Sequence, residues 1–283
     1  MRTLEYTVAA GESGTCAEHF LRHRGYSARM LSRLRRTGGI TRNGLLLRTV
    51  DTLREGDVIT VTIPEEGESL VPNPALKAAL MYEDEDIAVF DKPCDMPVHP
   101  SIEHYSDTLG NLFAALYPGC AFRPLNRLDK DTSGLCVCAK NAYAAASVQK
   151  TLRKTYFGVI SGGLCGKITI DKPIAREQGS IIRRCIDPAG KPAVTIAEPV
   201  FSANGHTLVK FTLLTGRTHQ IRVHISSEGM PLCGDSMYGG DCSRIARQAL
   251  HCGEVTFASV RGEVTVRAAL PEDMAGLLDK EKL

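Results

Sequence analysis

Residues 124–139 read PLNRLDKDTSGLCVCA, and the chain changes character inside them. Asn126, Arg127, Asp129, Lys130, Asp131, Thr132, Ser133 and Gly134 make a polar, charged loop around Leu128. Leu135, Cys136, Val137, Cys138 and Ala139 then run without a polar residue, which predicts a buried strand. A polar loop leading into a buried strand is where a rigid scaffold presents reactive groups. A tight turn with an aspartate cap and a local ion pair would have the same composition, so the residues alone do not separate the two.

Outward from this point the apolar runs continue at 87–90, 156–161, 208–214 and 264–270, each predicting a strand. Helical spacing appears between them at 109–117, 142–152 and 219–227. The order is irregular and not an alternation of strand and helix. It implies an α+β domain on a mixed, largely antiparallel sheet. The N-terminal part reads as a separate compact unit. Residues 16–24 and 27–36 have helical spacing, and Thr37, Gly38 and Gly39 stop the second helix. Ile40 to Arg42 form a short strand before the hairpin signal Asn43-Gly44, and residues 58–63 alternate as a second strand. Residues 64–76, PEEGESLVPNPAL, have the proline-rich, acidic composition of a linker.

With 43% apolar and 23% charged residues over 283 positions, the chain can bury a large core and carry a small appended domain. No apolar run approaches the roughly 18 residues of a membrane span, and the first residues lack the apolar segment of a secretory signal. A cytoplasmic protein is expected. The ten cysteines show neither a CxxC pair nor zinc-ribbon spacing, so reduced, mostly buried thiols are expected and no metal site. A net charge of +2 does not by itself mark a nucleic-acid binder. Its distribution is more telling. Residues 19–50 hold eight arginines and no Asp or Glu, while acids gather at Glu65, Glu66 and Glu68 and at Glu83 to Asp86. A basic lobe on a near-neutral body suits phosphate contact, though a solvated face would look alike.

The order RMLSRLRRTGGITRNG (29–44) followed by LREGDVITV (53–61) resembles the S4 RNA-binding domain. That resemblance implies RNA contacts from Arg29, Arg33, Arg35, Arg36 and Arg42, whose guanidinium forks match phosphate oxygens. The loop at 126–134 resembles the HRLDxxTSG signature of the RluA family of pseudouridine synthases, with Asn126 where the signature has His. Four more blocks resemble that family in its own order: YEDEDIAVFDKPCDMPVHPS (82–101), KTYFGVISG (154–162), LTGRTHQIRVHISSEGMPLCGDSMYGG (214–240) and RQALHCGEVTF (247–257). The resemblances divide the chain into an S4-like RNA-binding domain, 1–70, and a catalytic domain, 71–283.

The family's roles fall on Asp129 as catalytic carboxylate, Tyr156 as active-site tyrosine and Arg222 as the basic partner of the aspartate. The implied reaction isomerises uridine within RNA. It breaks the N1–C1′ bond, turns the uracil, joins C5 to C1′ and removes the C5 proton. A carboxylate serves either as nucleophile at C1′ or as base at C2′. Arg127 is the candidate for holding the flipped nucleotide, with a structural ion pair to Asp131 or Glu83 as the alternative. His99 is expected at the rim, and His219 and His224 on a helix with Arg222, satisfying local hydrogen bonds. No cofactor is implied. The expected partner is RNA, ribosomal RNA of the large subunit first and transfer RNA second, for a chain acting as a monomer. A non-catalytic RNA-binding protein and a nucleoside glycosidase are the readings from other classes.

Overall fold

A computed structural model describes residues 2–64 and 70–278. The acids Glu65, Glu66 and Glu68, and with them much of the expected linker, lie outside the described residues.

The N-terminal unit builds its own sheet and core. Strand β1 (Arg2–Thr7) pairs antiparallel with β4 (Val58–Ile63), which pairs in turn with β2 (Ile40–Arg42), and β2 with β3 (Leu45–Leu46). Asn43 and Gly44, at φ 49° and 81°, turn β2 into β3 as the Asn-Gly pair predicts. Helix α1 (Ala17–His23) buries Phe20 and Leu21, and α2 (Ala28–Arg36) buries Leu31 and Leu34, against Ile40, Ile59 and Val61 of the sheet. Ser27 caps α2 by accepting from the Met30 N–H.

The second unit is a sheet of ten strands among the described residues, largely antiparallel as expected. Its order runs β10 (Ile168–Asp171), β13 (Val194–Ala203), β14 (His206–Leu213), β9 (Arg153–Ser161), β15 (Leu250–Ser259), β8 (Ser133–Ala139), β6 (Ile87–Lys92) and β5 (Ala79–Glu83). Strand β16 (Gly262–Arg267) pairs with β15, and β7 (Arg123–Pro124) with β8. Among the described residues the one parallel pairing is between β15 and β8, which makes the sheet mixed. Helices α3 (Leu109–Leu116), α4 (Ala142–Val148) and α5 (Gln220–Ser227) contribute Phe113, Val148 and Ile225 to the main core. Side chains alternate along β9: Tyr156 and Ile160 face that core, while Phe157 and Val159 face a second cluster with Met274 of α6 (Glu272–Ala275). Phe90, Phe113, Phe211 and Phe257 are fully buried, each contributing roughly 1.5–3 kcal/mol.

Where the apolar runs were continuous, the strands lie where they predict. Elsewhere the structure adds elements. Strand β1 alternates between half-buried and exposed positions, with no apolar run to mark it. Strands β10 and β13 mix apolar with polar residues, and helix α4 ends at Val148, short of the expected Leu152. Of the ten cysteines, all free, only Cys136, Cys138, Cys233 and Cys252 are buried. The expectation of mostly buried thiols is thus corrected: six lie in loops, at strand ends or on half-covered strands, where no core closes over them.

The two units meet along a polar seam. Arg2 reaches across to Asp86 (3.0 Å) and Glu85 (2.5 Å), and Asn141 of the second unit completes Asp86 (2.7 Å). Tyr143 donates to the Arg24 carbonyl (2.9 Å) and packs its ring on Tyr26 (4.6 Å between centroids). Residues 70–76 are held on α3, where the Asn111 amide donates to the Val71 carbonyl (2.8 Å).

Candidate active site

The loop before β8 is set by the strand pairing. Cys252 on β15 stands opposite Tyr156 on one side and Gly134 on the other, so these three residues form one row across the sheet. Gly134 has φ 112°, and a Cβ there would lie 2.4 Å from the Cys252 carbonyl oxygen. Only glycine admits that close approach. It brings the end of the polar loop beside Tyr156.

The loop is then fixed from several sides. Buried Asn126 extends the β7–β8 ladder with its side chain, accepting from the Val137 N–H (2.8 Å) and donating to the Leu135 carbonyl (2.9 Å). Lys92, fully buried, donates to the carbonyls of Pro93, Met96 and Lys130 at 2.7–2.9 Å. Burial pulls its ammonium down to about 8, so it remains mostly protonated at neutral pH and can serve all three acceptors. Gln248 donates to Thr132 Oγ1 (3.2 Å), and Arg247, paired with Asp273 of α6, donates to the Asp131 carbonyl (3.3 Å). Leaving the buried acceptors among these, the Met96 and Leu135 carbonyls and the Thr132 hydroxyl, without a donor costs about 1–3 kcal/mol each, which favours one conformation of the loop.

Asp129 projects from this loop toward α5. Its Oδ2 accepts from Arg222 Nη1 at 3.0 Å. The rest of the Arg222 fork is taken by Asp235, to Oδ2 at 2.7 Å and Oδ1 at 2.9 Å. Asp235 is 1% exposed and Arg222 6%, whereas the Asp129 side chain is 22% exposed. Burial works against the Arg222 charge more than any other single influence, but Asp235 and then Asp129 together outweigh it and raise its pKa. Arg222 is a fixed cation shared by two carboxylates, one buried and one open to the pocket.

Tyr156, 7% exposed, lines the same cavity as Leu128, Asp129 and Ile221. Burial, with the Cys252 thiol and the Asp129 carboxylate adding to it, pushes the phenol well above its ordinary value. His219 also lines this cavity. It is not within α5, as expected, but caps it in the left-handed conformation (φ 55°), with Nδ1 2.8 Å from Tyr238 Oη and Nε2 3.8 Å from Asp129 Oδ2. Burial lowers its pKa, so the neutral ring is a polar neighbour of Asp129 and not half of an ion pair. His224 does satisfy local partners, the Thr195 hydroxyl and the Lys172 carbonyl. His99 is exposed, edge-on to Phe122.

Arg127 forms neither ion pair considered from the sequence. Its Nη2 donates across the site to Thr218 Oγ1 (3.0 Å), and the side chain is exposed. Thus Asp129, Tyr156, Arg222 and Arg127 converge on one cavity. The other candidates do not join them. Arg29, Arg35 and Arg36 are exposed on α2, Arg33 is half-buried, and Arg42 donates to the Thr52 carbonyl (3.2 Å). Sequence reasoning overlooked Asp235, Lys92, Tyr238 and Arg247. Asp235 had one available signal, a lone acid after Gly234 in an otherwise uncharged stretch, and Gly234 is needed because a Cβ there would meet the Arg247 carbonyl at 2.0 Å.

The Ser133–His251 pair behind the loop yields a test of the fold. His251 Nδ1 lies 3.0 Å from Ser133 Oγ, and burial, helped by the Arg247 charge, lowers the ring to about 4 from 6.5. Between those values the unfolded chain binds a proton that the folded chain refuses. Stability present above pH 6.5 should therefore be lost toward pH 4, by up to about 3 kcal/mol from this group. Urea midpoints should fall across that window, and His251→Gln should flatten the fall. A flat wild-type curve would mean that the fold accepts the imidazolium.

Comparison with known proteins shows the family. The profile described as RNA pseudouridylate synthase matches residues 86–227, which include Asp129, Tyr156 and Arg222. The uncharacterized RNA pseudouridine synthase YjbO of Bacillus subtilis is 37% identical over 272 residues, covering 91% of this chain and 96% of the relative. Ribosomal large subunit pseudouridine synthase D of Pseudomonas aeruginosa is 33% identical over 266 residues, 85% of this chain and 83% of that one. Among solved structures, human RNA Pseudouridylate Synthase Domain Containing 1 superposes with a TM-score of 0.59 at 25% identity, over 73% of this chain and 89% of that chain. A family match over half of the chain, with relatives 33–37% identical over most of its length, leaves one assignment: the chain belongs to the RNA pseudouridylate synthase family and is an RNA pseudouridine synthase.

Proposed function

We propose that the enzyme isomerises uridine in large-subunit ribosomal RNA, with Asp129 as its catalytic carboxylate and Arg222 as the partner that positions it. The observation that carries this reading is the hydrogen bond from Arg222 to a single oxygen of Asp129, at a cavity lined by Tyr156. Among the described residues Oδ1 of Asp129 accepts no hydrogen bond, so one oxygen is anchored and the other is open for attack at C1′ or for a proton from C2′. Burial disfavours the Tyr156 phenolate, which favours a surface for the base over a proton acceptor. Arg127 stands at the cavity mouth, exposed and held there by one hydrogen bond to Thr218, so it can release Thr218 when a nucleotide enters. The freed guanidinium can then hold the flipped nucleotide or fill its vacated stack. The isomerisation is redox-neutral and adds no group, so the reading needs no cofactor. The large-subunit substrate is supported by the name of the Pseudomonas aeruginosa relative. Tritium release from C5-labelled large-subunit transcripts, against transfer RNA transcripts, tests it. Release from transfer RNA alone would overturn it.

Residues 1–70 are read as an S4-like RNA-binding domain and 71–283 as the catalytic domain. Support comes from the separate N-terminal core and from the exposed arginines of α2. Arg29, Arg33, Arg35, Arg36 and Arg42 are the proposed phosphate contacts. Arg35→Ala with Arg36→Ala should weaken binding of large-subunit RNA and make its salt dependence shallower by about 0.7–0.9 for each phosphate no longer neutralised, with the rate at saturating RNA unchanged. An unchanged slope would make α2 a solvated face.

A further inference from the structure

Among the described residues Asp129 Oδ2 accepts one hydrogen bond, from Arg222 Nη1 at 3.0 Å. One such bond fixes where an oxygen lies, but the carboxylate can still turn about it, and the direction of Oδ1 turns with it. His219 faces the same oxygen, with Nε2 3.8 Å away and its side chain 7% exposed. The backbone holds it there in a left-handed conformation, φ 55°, which glycine or asparagine adopts more readily. Its carbonyl accepts from the Val223 N–H (2.9 Å) and opens the helix. The turn before it is pinned by Gln220, whose Oε1 accepts from the Thr215 hydroxyl and the Arg217 N–H. None of these contacts uses the imidazole, so the ring has to be explained by what it touches.

Its second nitrogen decides where its proton sits. Tyr238, at the end of the 3₁₀ turn Ser236–Tyr238, is buried and places Oη 2.8 Å from His219 Nδ1. Burial raises the pKa of Tyr238, so the group is the phenol. The same Oη accepts from the backbone N–H of Arg184 (2.9 Å), on the hairpin of β11 (Ile174–Arg176) and β12 (Arg184–Ile186). The phenol proton then needs an acceptor, and among the described residues Nδ1 is the one within reach. Tyr238 therefore donates to Nδ1. That leaves the proton of the neutral ring on Nε2, the nitrogen that faces Asp129. The ring stays neutral because burial opposes its charge, and Arg222 and Arg184 add to burial against the pull of Asp129 and Asp235. Its place at the N-terminus of α5 acts in the same direction.

We propose that His219 is a positioning residue for Asp129: Tyr238 fixes the imidazole with its proton on Nε2, and that N–H closes on Oδ2 as the nucleotide enters. Arg222 and His219 then hold one oxygen from two directions, which sets the plane of the carboxylate and aims Oδ1 at the sugar. This rests on reading Asp129 as the catalytic carboxylate. Hydrogen bonds that are long before substrate binds tighten in the reacting complex, and closing to about 2.9 Å asks for a small movement of the ring. A neutral N–H suits this role, because it directs the carboxylate without neutralising it.

The test follows single-turnover tritium release by the full-length enzyme from a C5-labelled large-subunit transcript, or from transfer RNA transcripts if those are what it accepts. Asparagine tolerates the left-handed backbone and keeps an acceptor near the place of Nδ1, but it has no donor at the reach of Nε2. His219→Asn should lower the rate at saturating RNA about 30-fold, with affinity within about twofold of wild type and the urea midpoint unchanged. Glutamine carries an amide N–H about as far out as Nε2, so His219→Gln should recover the rate to within about fivefold of wild type. Tyr238→Phe removes the proton that selects the tautomer and should slow release about tenfold. In the ¹⁵N-labelled wild type near neutral pH, long-range proton–nitrogen spectra should show the His219 ring protonated on Nε2 alone, its signals identified by their loss in His219→Asn. A ring protonated on Nδ1, or on both nitrogens, overturns the tautomer and with it the proposal. So does a wild-type rate in His219→Asn beside an inactive Asp129→Asn, or equal loss in the asparagine and glutamine variants. A loss confined to affinity makes His219 a substrate contact and also overturns it. Turnover retained by Asp129→Asn is the different failure, that of the carboxylate reading beneath.

Discussion

Asp129→Asn should lower tritium release from C5-labelled RNA by about 10³-fold or more, with RNA affinity within about twofold of wild type. The amide has nearly the shape of the carboxylate, and its oxygen can still accept from Arg222 Nη1, so the loop held by Lys92, Asn126 and Gln248 has no reason to move. What disappears is the anionic oxygen that either mechanism uses, as nucleophile at C1′ or as base at C2′. Affinity should survive because the proposed phosphate contacts lie elsewhere, on α2 and β2. Single-turnover release at saturating RNA checks the first part and anisotropy the second. Turnover above a few per cent of wild type, once contamination by the host enzyme is excluded, would remove Asp129 from the catalytic role.

Arg222→Met should have two separable consequences. Asp235, 1% exposed, would lose both of its hydrogen bonds to the guanidinium, and an uncompensated buried carboxylate costs about 3–5 kcal/mol. Asp129 would lose the hydrogen bond that fixes its direction, so the rate at saturating RNA should fall by about 10²-fold or more. Urea unfolding and tritium release measure the two effects independently. Adding Asp235→Leu to Arg222→Met replaces the buried charge with an apolar pair and should recover most of the stability. The activity should not return with it. If it does, Arg222 serves only the fold; if only the apparent affinity changes in the single variant, Arg222 is a phosphate contact.

The mixed, largely antiparallel sheet was legible wherever burial is two-sided or regularly alternating. Residues 135–139 and 87–90 sit on strands buried along most of their length, and a buried strand must be written in apolar residues. The Asn43-Gly44 turn and the Thr37-Gly38-Gly39 stop were equally plain, because left-handed backbone at a turn selects few residue types. Strand β1 and the β10–β13 region were not legible. They are half-covered edges and hairpins whose polar residues carry no period of their own.

The site divides in the same way. Asp129, Tyr156 and Arg222 stood out through resemblance to family motifs, and the polar-to-apolar change at Gly134 marked their loop from the residues alone. No local pattern could give Asp235 to Arg222, Thr218 to Arg127 or Lys92 to the Lys130 carbonyl, because those partners lie 13, 91 and 38 positions apart. Nor could it turn His219 out of its helix into a left-handed cap beside Asp129. Local sequence determined which segments are strands, helices and turns, since each reflects the periodic burial of its own neighbours. Only the closed tertiary structure decided which buried charge meets which, because removing a charged group from water is tolerable only where a partner from another part of the chain already waits.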